Sequence, residues 1–318
     1  MAYRFDAEES VDEAFRRTAQ EQLLTAETAL RRDVEVDSVG AIHTARKAVK
    51  KERALLRLMR GSVRRRDRRA ENAALRDAAR GLSGARDADV MVQTLDALAE
   101  RYAGQVPHNE FTAIRERLAD GLGGPGNGSV AVAVTASELA AARERIGGWR
   151  LERRGWAGLE PGLGRTYKRG RKAFSVVQDA PTDEHLHEWR KRVKDLWYQL
   201  RLIAEVGGPS VRGQAKDAHA LADLLGDDHD LAVLRERLLG PAGGVAADVD
   251  AVLGLLDHRR EQLQTQATAL GERVYAERPK AFLRRLRACW RAGRRAHRQS
   301  LQGDPAELAE ATRAMVAH

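Results

Sequence analysis

Apolar residues recur along most of the chain at intervals of three and four, the period of a helix that buries one face. This periodicity predicts helices over roughly 8–32, 38–60, 63–82, 87–104, 108–120 and 135–149, and then over 160–177, 182–206, 210–225, 229–239, 246–276 and 278–298. The two sets fall on either side of the Gly-rich "GLGGPGNG" at 121–128. Runs of β-branched or aromatic residues are scarce. The one strand-like stretch, "SVAVAVTASE" at 129–138, is expected to act as a linker leading into a helix. The fold class expected is all-α.

One predicted helix, "HTARKAVKKERALLR" at 43–57, carries an unusual face. His43, Arg46, Lys47, Lys50, Ala54 and Arg57 stack at helical spacing, while Ala45, Val49, Leu56 and Met59 lie opposite and can bury. Like charges at i,i+4 destabilise an isolated helix by about 0.2–0.5 kcal/mol per pair, so such a stripe needs a reason. The segment "HEWRKRVKDLWYQLR" at 187–201 repeats it: His187, Arg190, Lys191, Lys194, Tyr198 and Arg201 form the stripe. Leu186, Trp189, Val193, Leu196, Leu200 and Ile203 form the burying face. Nearly the same offset sets "LSGARDADV" (82–90) over "LGDDHDLAV" (225–233), matching Leu82 with Leu225 and Asp87 with Asp230. Two segments agreeing in order and spacing indicate an internal duplication, dividing the chain into 1–125 and 126–318. Other positions differ between copies, as Lys51 does from Asp195, and neither stripe contains a carboxylate. Ordinary solvated faces mix signs to gain i,i+4 pairs.

Charge then names the class of partner. The 318 residues carry 55 Lys+Arg against 46 Asp+Glu, a net charge of +9, which points to a polyanion such as a nucleic acid, a phosphate chain or an anionic surface. Only 5% of residues are aromatic, which weakens a single-strand nucleic-acid reading, since such binders stack bases on aromatic platforms. Cys289 stands alone, excluding an intrachain disulfide or a cysteine zinc site and fitting a reducing compartment. With neither a signal peptide nor a membrane span legible, a cytoplasmic protein is expected. No nucleophile–base pair, Gly-rich phosphate loop or HExxH motif is present, so neither an enzyme nor a resident cofactor or metal is expected. The acidic "RDAD" (86–89) and "DDHD" (227–230) could hold Mg²⁺ or Mn²⁺, which keeps a metal-dependent phosphoanhydride hydrolase as the alternative; the reading preferred for Asp87 and Asp230 is helix N-caps. Arg165, Lys168, Arg169 and Lys172 repeat the i, i+3, i+4, i+7 pattern as secondary anion contacts, and "RGSVRRRDRR" (60–69) is a denser patch whose arginines point all round a helix.

The pattern HxxRKxxK…R, present twice and each time followed by "RD" (Arg86-Asp87) or "HD" (His229-Asp230), resembles the CHAD family, the conserved-histidine α-helical domain. "YKRGRKAF" (167–174) and "YAERPKAF" (275–282) are similar to that family too. The resemblance covers nearly the whole chain. It implies two pseudo-symmetric four-helix-type bundles whose basic faces converge on a central groove, and a non-catalytic module that binds inorganic polyphosphate and targets or organises polyphosphate or storage granules. It implies contacts from His43, Arg46, Lys47, Lys50 and Arg57 and from His187, Arg190, Lys191, Lys194 and Arg201. No acidic "ExExK" opening is present, so the chain resembles the stand-alone form rather than a fusion to a CYTH-type triphosphatase. Polyphosphate has no bases, so only cation placement and hydrogen-bond donors can recognise it.

Overall fold

The computed structural model describes residues 3–82, 87–104, 108–120, 128–240 and 248–302. Among them are eleven α-helices and no strand. The first six are α1 (Val11–Arg31), α2 (Ser38–Leu58), α3 (Arg65–Gly81), α4 (Asp87–Arg101), α5 (His108–Asp120) and α6 (Gly128–Gly147). The remaining five are α7 (Trp156–Asp179), α8 (Asp183–Gly207), α9 (Pro209–Leu239), α10 (Asp248–Val274) and α11 (Pro279–Gln302).

Local chemistry sets several boundaries. Ser10 and Glu13 close a reciprocal capping box at the start of α1, Asp37 caps α2 through the Gly40 N–H, and Thr182 caps α8. Two expectations change. The stretch 129–138 is helical within α6, because Val132, Ala136 and Leu139 fall on one face and bury there, and tertiary burial outweighs the weak helix preference of valine. The expected break between 225 and 229 is also absent. Leu221, Leu225, Asp228, Leu231, Leu234 and Leu238 form one buried stripe, so α9 runs through the "GDDHD" segment. Asp230 therefore lies inside a helix and caps nothing. The side chain of Asp87 and the whole of Arg86 fall outside the described residues, as does 121–127.

The main core draws on both sides of residue 125: Phe15, Leu23, Leu55 and Leu56 share it with Trp189, Leu200 and Phe282. α1 packs on α2 and α6, and α8 packs on α7, α9 and α11; α2 touches both α7 and α8. A second, smaller cluster joins α4 and α5 to the far ends of α9 and α10 through Leu98, Phe111, Leu234 and Leu256. The burying faces read from the sequence hold. Ala45, Val49, Leu56 and Met59 on α2, and Leu186, Trp189, Val193, Leu196, Leu200 and Ile203 on α8, are all buried.

Candidate functional site

The two stripe helices cross. Arg57 Nη1 donates to Asp195 Oδ1 at 2.9 Å, Gln199 Nε2 donates to the Ala54 carbonyl at 3.2 Å, and Lys51 and Arg201 flank the Tyr3 ring at 5.4 and 6.0 Å. The numbering of these contacts rises along α8 as it falls along α2, so the helices meet antiparallel through their C-terminal halves. Ala54 and Tyr198, which periodicity assigns to the stripes, sit at the crossing and are buried. Each stripe is thus interrupted where the partner helix lies on it, and Arg57 and Arg201 stand at its edge.

The crossing is electrically lopsided, and the reason is the one aligned pair that differs in sign. At one edge Asp195 takes Arg57, with Arg192 at 3.7 Å. At the opposite edge the corresponding residue is Lys51, so Arg201 meets a second cation. Burial, then the charges of Arg201 and Lys47, pull the Lys51 ammonium down to about 8. Among the described residues no carboxylate lies within 4.0 Å of Lys47, Lys51 or Arg201. Lys51 is a candidate site residue that stripe periodicity missed. The signal was its place beside Lys50, one step round the helix toward α8.

Carboxylates from outside the stripes do reach them elsewhere, which corrects the picture of wholly unneutralised faces. Glu188 contacts Arg192, lies 3.9 Å from Lys191 and 3.7 Å from Arg169, and Asp230 lies 4.0 Å from Arg190. Arg46 donates to the Leu82 carbonyl at 3.0 Å, which ties α2 to the end of α3. Lys47 and Lys50 are exposed, while His43 and Lys194 are half-buried. His187 packs against His229 of α9 with ring centroids 4.4 Å apart, and its Nδ1 is buried without a hydrogen-bond partner among the described residues. Burial, then the charges of Arg190, His187, Lys191 and Lys194, push the His229 imidazole down to about 4; burial, Lys191 and Arg190 also lower His187. His229 was legible only as half of an "HD" pair, without its partner.

The acidic segment has a structural use. Asp228 is buried and accepts from Arg260 Nε at 3.0 Å and Gln264 Nε2 at 2.9 Å. Asp227 and Asp230 line a cavity of about 400 Å³ between α4, α9 and α10, together with Arg101 and Arg259. Among the described residues no cluster of three or more His, Cys, Asp or Glu has metal-binding geometry. No helix among them is long and apolar enough to cross a membrane.

The helix that carries the candidate secondary anion contacts comes to α2 through a backbone approach. Gly162 of α7 lies so close to Leu58 that a Cβ there would stand 1.9 Å from the Leu58 carbonyl oxygen. One and two turns further along α7, Arg165 and Arg169 act on Arg60 just past the end of α2. Lys168 and Lys172 are exposed on the same helix.

The CHAD domain family model matches residues 14–239. A comparison with curated proteins gives no match. Among solved structures, PptA from Streptomyces chartreusis has a similar fold, with a TM-score of 0.55 and 14% identity over 85% of this chain and 100% of that one. The matched segment takes in both stripe helices and more than half of the 318 residues. The chain belongs to the CHAD family.

Proposed function

We propose that this protein binds inorganic polyphosphate without cleaving it, and that binding places it on polyphosphate or storage granules or organises them. One observation carries the reading: Lys47 and Lys51 of one stripe helix and Arg201 of the other stand together without a carboxylate within 4.0 Å among the described residues. Like charges held so close cost free energy in the unliganded fold, and a polyanion would turn that cost into attraction. Lys supplies point charges and Arg a two-pronged donor for phosphate oxygens, so the residue types suit a chain of phosphates. Helical steps of about 5–6 Å would present these cations as a ladder.

The test uses charge reversal and a product assay on the same preparations. Lys50→Glu and Lys194→Glu should each weaken binding of long-chain polyphosphate at least about tenfold, the size expected for a charge-assisted contact. Exposed Lys216→Glu should leave binding within about twofold of wild type, as surface charges remote from a site are screened. Equal losses at all three positions would indicate diffuse attraction to net charge instead. Incubation with Mg²⁺ or Mn²⁺ should leave polyphosphate and nucleoside triphosphates intact. Phosphate release abolished by Asp230→Asn would overturn the non-catalytic reading.

A further inference from the structure

A second concentration of charge lies beyond the stripe, where α2 ends and α3 begins. The connecting turn is fixed: Gly61 adopts φ 91°, Ser62 Oγ donates to the Gly158 carbonyl at 2.9 Å, and the Glu152 N–H donates to the Ser62 carbonyl at 2.8 Å. Only glycine takes that positive φ without strain, so the backbone that carries Arg60 is pinned against α7. α3 then opens with Arg65, Arg66, Arg68 and Arg69 around a single acid, Asp67, and Arg64 at its N-cap makes no side-chain capping bond. Cations are disfavoured there, because the first turn of a helix is its positive end.

Arg68 is 7% exposed, and the charges acting most strongly on it are Arg69, Arg165, Arg57 and Arg65. Those acting most strongly on Arg60 are Arg165, Arg68, Arg69 and Arg169. All are cations. Burial and these neighbours lower both guanidinium pKa values, and neither side chain has a carboxylate within 4.0 Å among the described residues. A largely buried arginine side chain without a carboxylate beside it, among other arginines, is held against mutual repulsion that partial removal of water strengthens. A bound oxyanion would relieve that repulsion.

We propose that Arg60, Arg68 and Arg165 form a second phosphate-binding site, which takes up a polyphosphate chain as it leaves the α2 stripe past Arg57. The inference rests on the polyphosphate reading and extends it with residues outside both stripes. Continuity comes from Arg57, which ends the stripe and acts electrostatically on Arg53 behind it and on Arg68 ahead of it. Arginine, rather than lysine, suits a site that must fix a phosphate in one orientation through paired N–H donors.

The test is the double variant Arg60→Gln/Arg165→Gln, at two positions that are not buried. Removing a repulsive pair should leave the melting temperature of the ligand-free protein equal or higher at low salt. The same variant should bind long-chain polyphosphate at least about tenfold more weakly and with a shallower salt dependence. A lower melting temperature with unchanged binding would make the arginines structural and overturn the site. Tripolyphosphate and inorganic phosphate serve as separate probes in the Lys50→Glu/Lys194→Glu background. Residual tripolyphosphate binding, lost on adding the two arginine changes, supports the cluster as a phosphate site in its own right. If the arginine variant binds long chains like wild type while Lys50→Glu does not, this inference fails and the polyphosphate reading stands. If wild type binds no polyphosphate, both fail.

Discussion

A single sign difference, Lys51 in one copy of the motif against Asp195 in the other, decides how the crossing is charged. Alignment marked that position as free to vary, because a sequence comparison scores identity and cannot see that the two residues face opposite edges of one helix contact. The histidines behave in a related way. Burial first, and then the cations around His187 and His229, hold both imidazoles below their usual range, and His229 at about 4 is neutral at pH 7. The surrounding groups are Glu188, Arg190, Lys191 and Lys194 on α8, and Asp230 on α9 beside Arg190. A polyanion laid on this stripe would raise both values, so the complex would hold protons that the free protein does not. The sign follows: affinity should rise as pH falls through the raised value of the complex and level off once pH drops below the free His229 value of about 4. Titrations at pH 7.5 and 5.5 should show tighter binding at the lower pH, with less of that gain in His187→Gln/His229→Gln. An unchanged gain in the double variant would assign the pH dependence to other groups.

Among the elements, helix existence and burying faces were legible and contacts between distant helices were not. Alternation at three and four residues identified α2 and α8 and the residues they bury, since that pattern is a property of one helix at a time. It could not show that α8 lies across Ala54, because that contact depends on where a helix more than a hundred residues away is delivered. The continuous α9 was missed for a local reason: Gly, Asp and His in succession read as a stop, but burial of the leucines on either side keeps the helix intact. Close helix approach is written in glycines rather than in apolar period. Gly162 has no room for a Cβ against Leu58, and Gly293 of α11 has none against the Val206 carbonyl of α8, where the distance would be 1.7 Å. Gly162→Ala should force α7 away from α2, destabilising the fold by about 1–3 kcal/mol or more, as overpacking of a close contact does. A lowered urea midpoint with unchanged slope would register it. Since α7 carries Arg165 and Arg169 toward Arg60, the same change should also weaken polyphosphate binding. A midpoint equal to wild type would mean that the contact is looser than the backbone geometry indicates.

For the whole molecule, the proposed ligand path is distributed rather than concentrated in a pocket. It includes Lys47, Lys50, Lys51 and Arg57 on α2, Lys191, Lys194 and Arg201 on α8, and the arginines past the end of α2, all mounted on one shared core. Composition gives the net charge of +9, but only the fold determines which cations lie side by side and which also meet a carboxylate, as Arg57 meets Asp195 and Arg190 meets Asp230. A distributed path makes a prediction that a compact pocket does not. Each contacted phosphate releases condensed counter-ions, so the logarithm of affinity should fall with the logarithm of salt, with a slope of about −0.7 per phosphate when single-strand nucleic acid is the guide. Affinity and slope should both climb from pyrophosphate through tripolyphosphate to longer chains, because each added unit reaches another rung. Both should level off once the chain spans the crossing and the arginine cluster, where further length adds no contact and only a small tethering effect. The plateau slope counts the phosphates held, and Arg60→Gln/Arg165→Gln should lower the plateau and bring it to shorter chains. Binding measured across defined chain lengths at several salt concentrations tests this directly. Equal affinity and equal slope for tripolyphosphate and long chains would instead describe a closed site for a terminal phosphate group, and a nucleotide-binding or hydrolytic function would then explain the cations better.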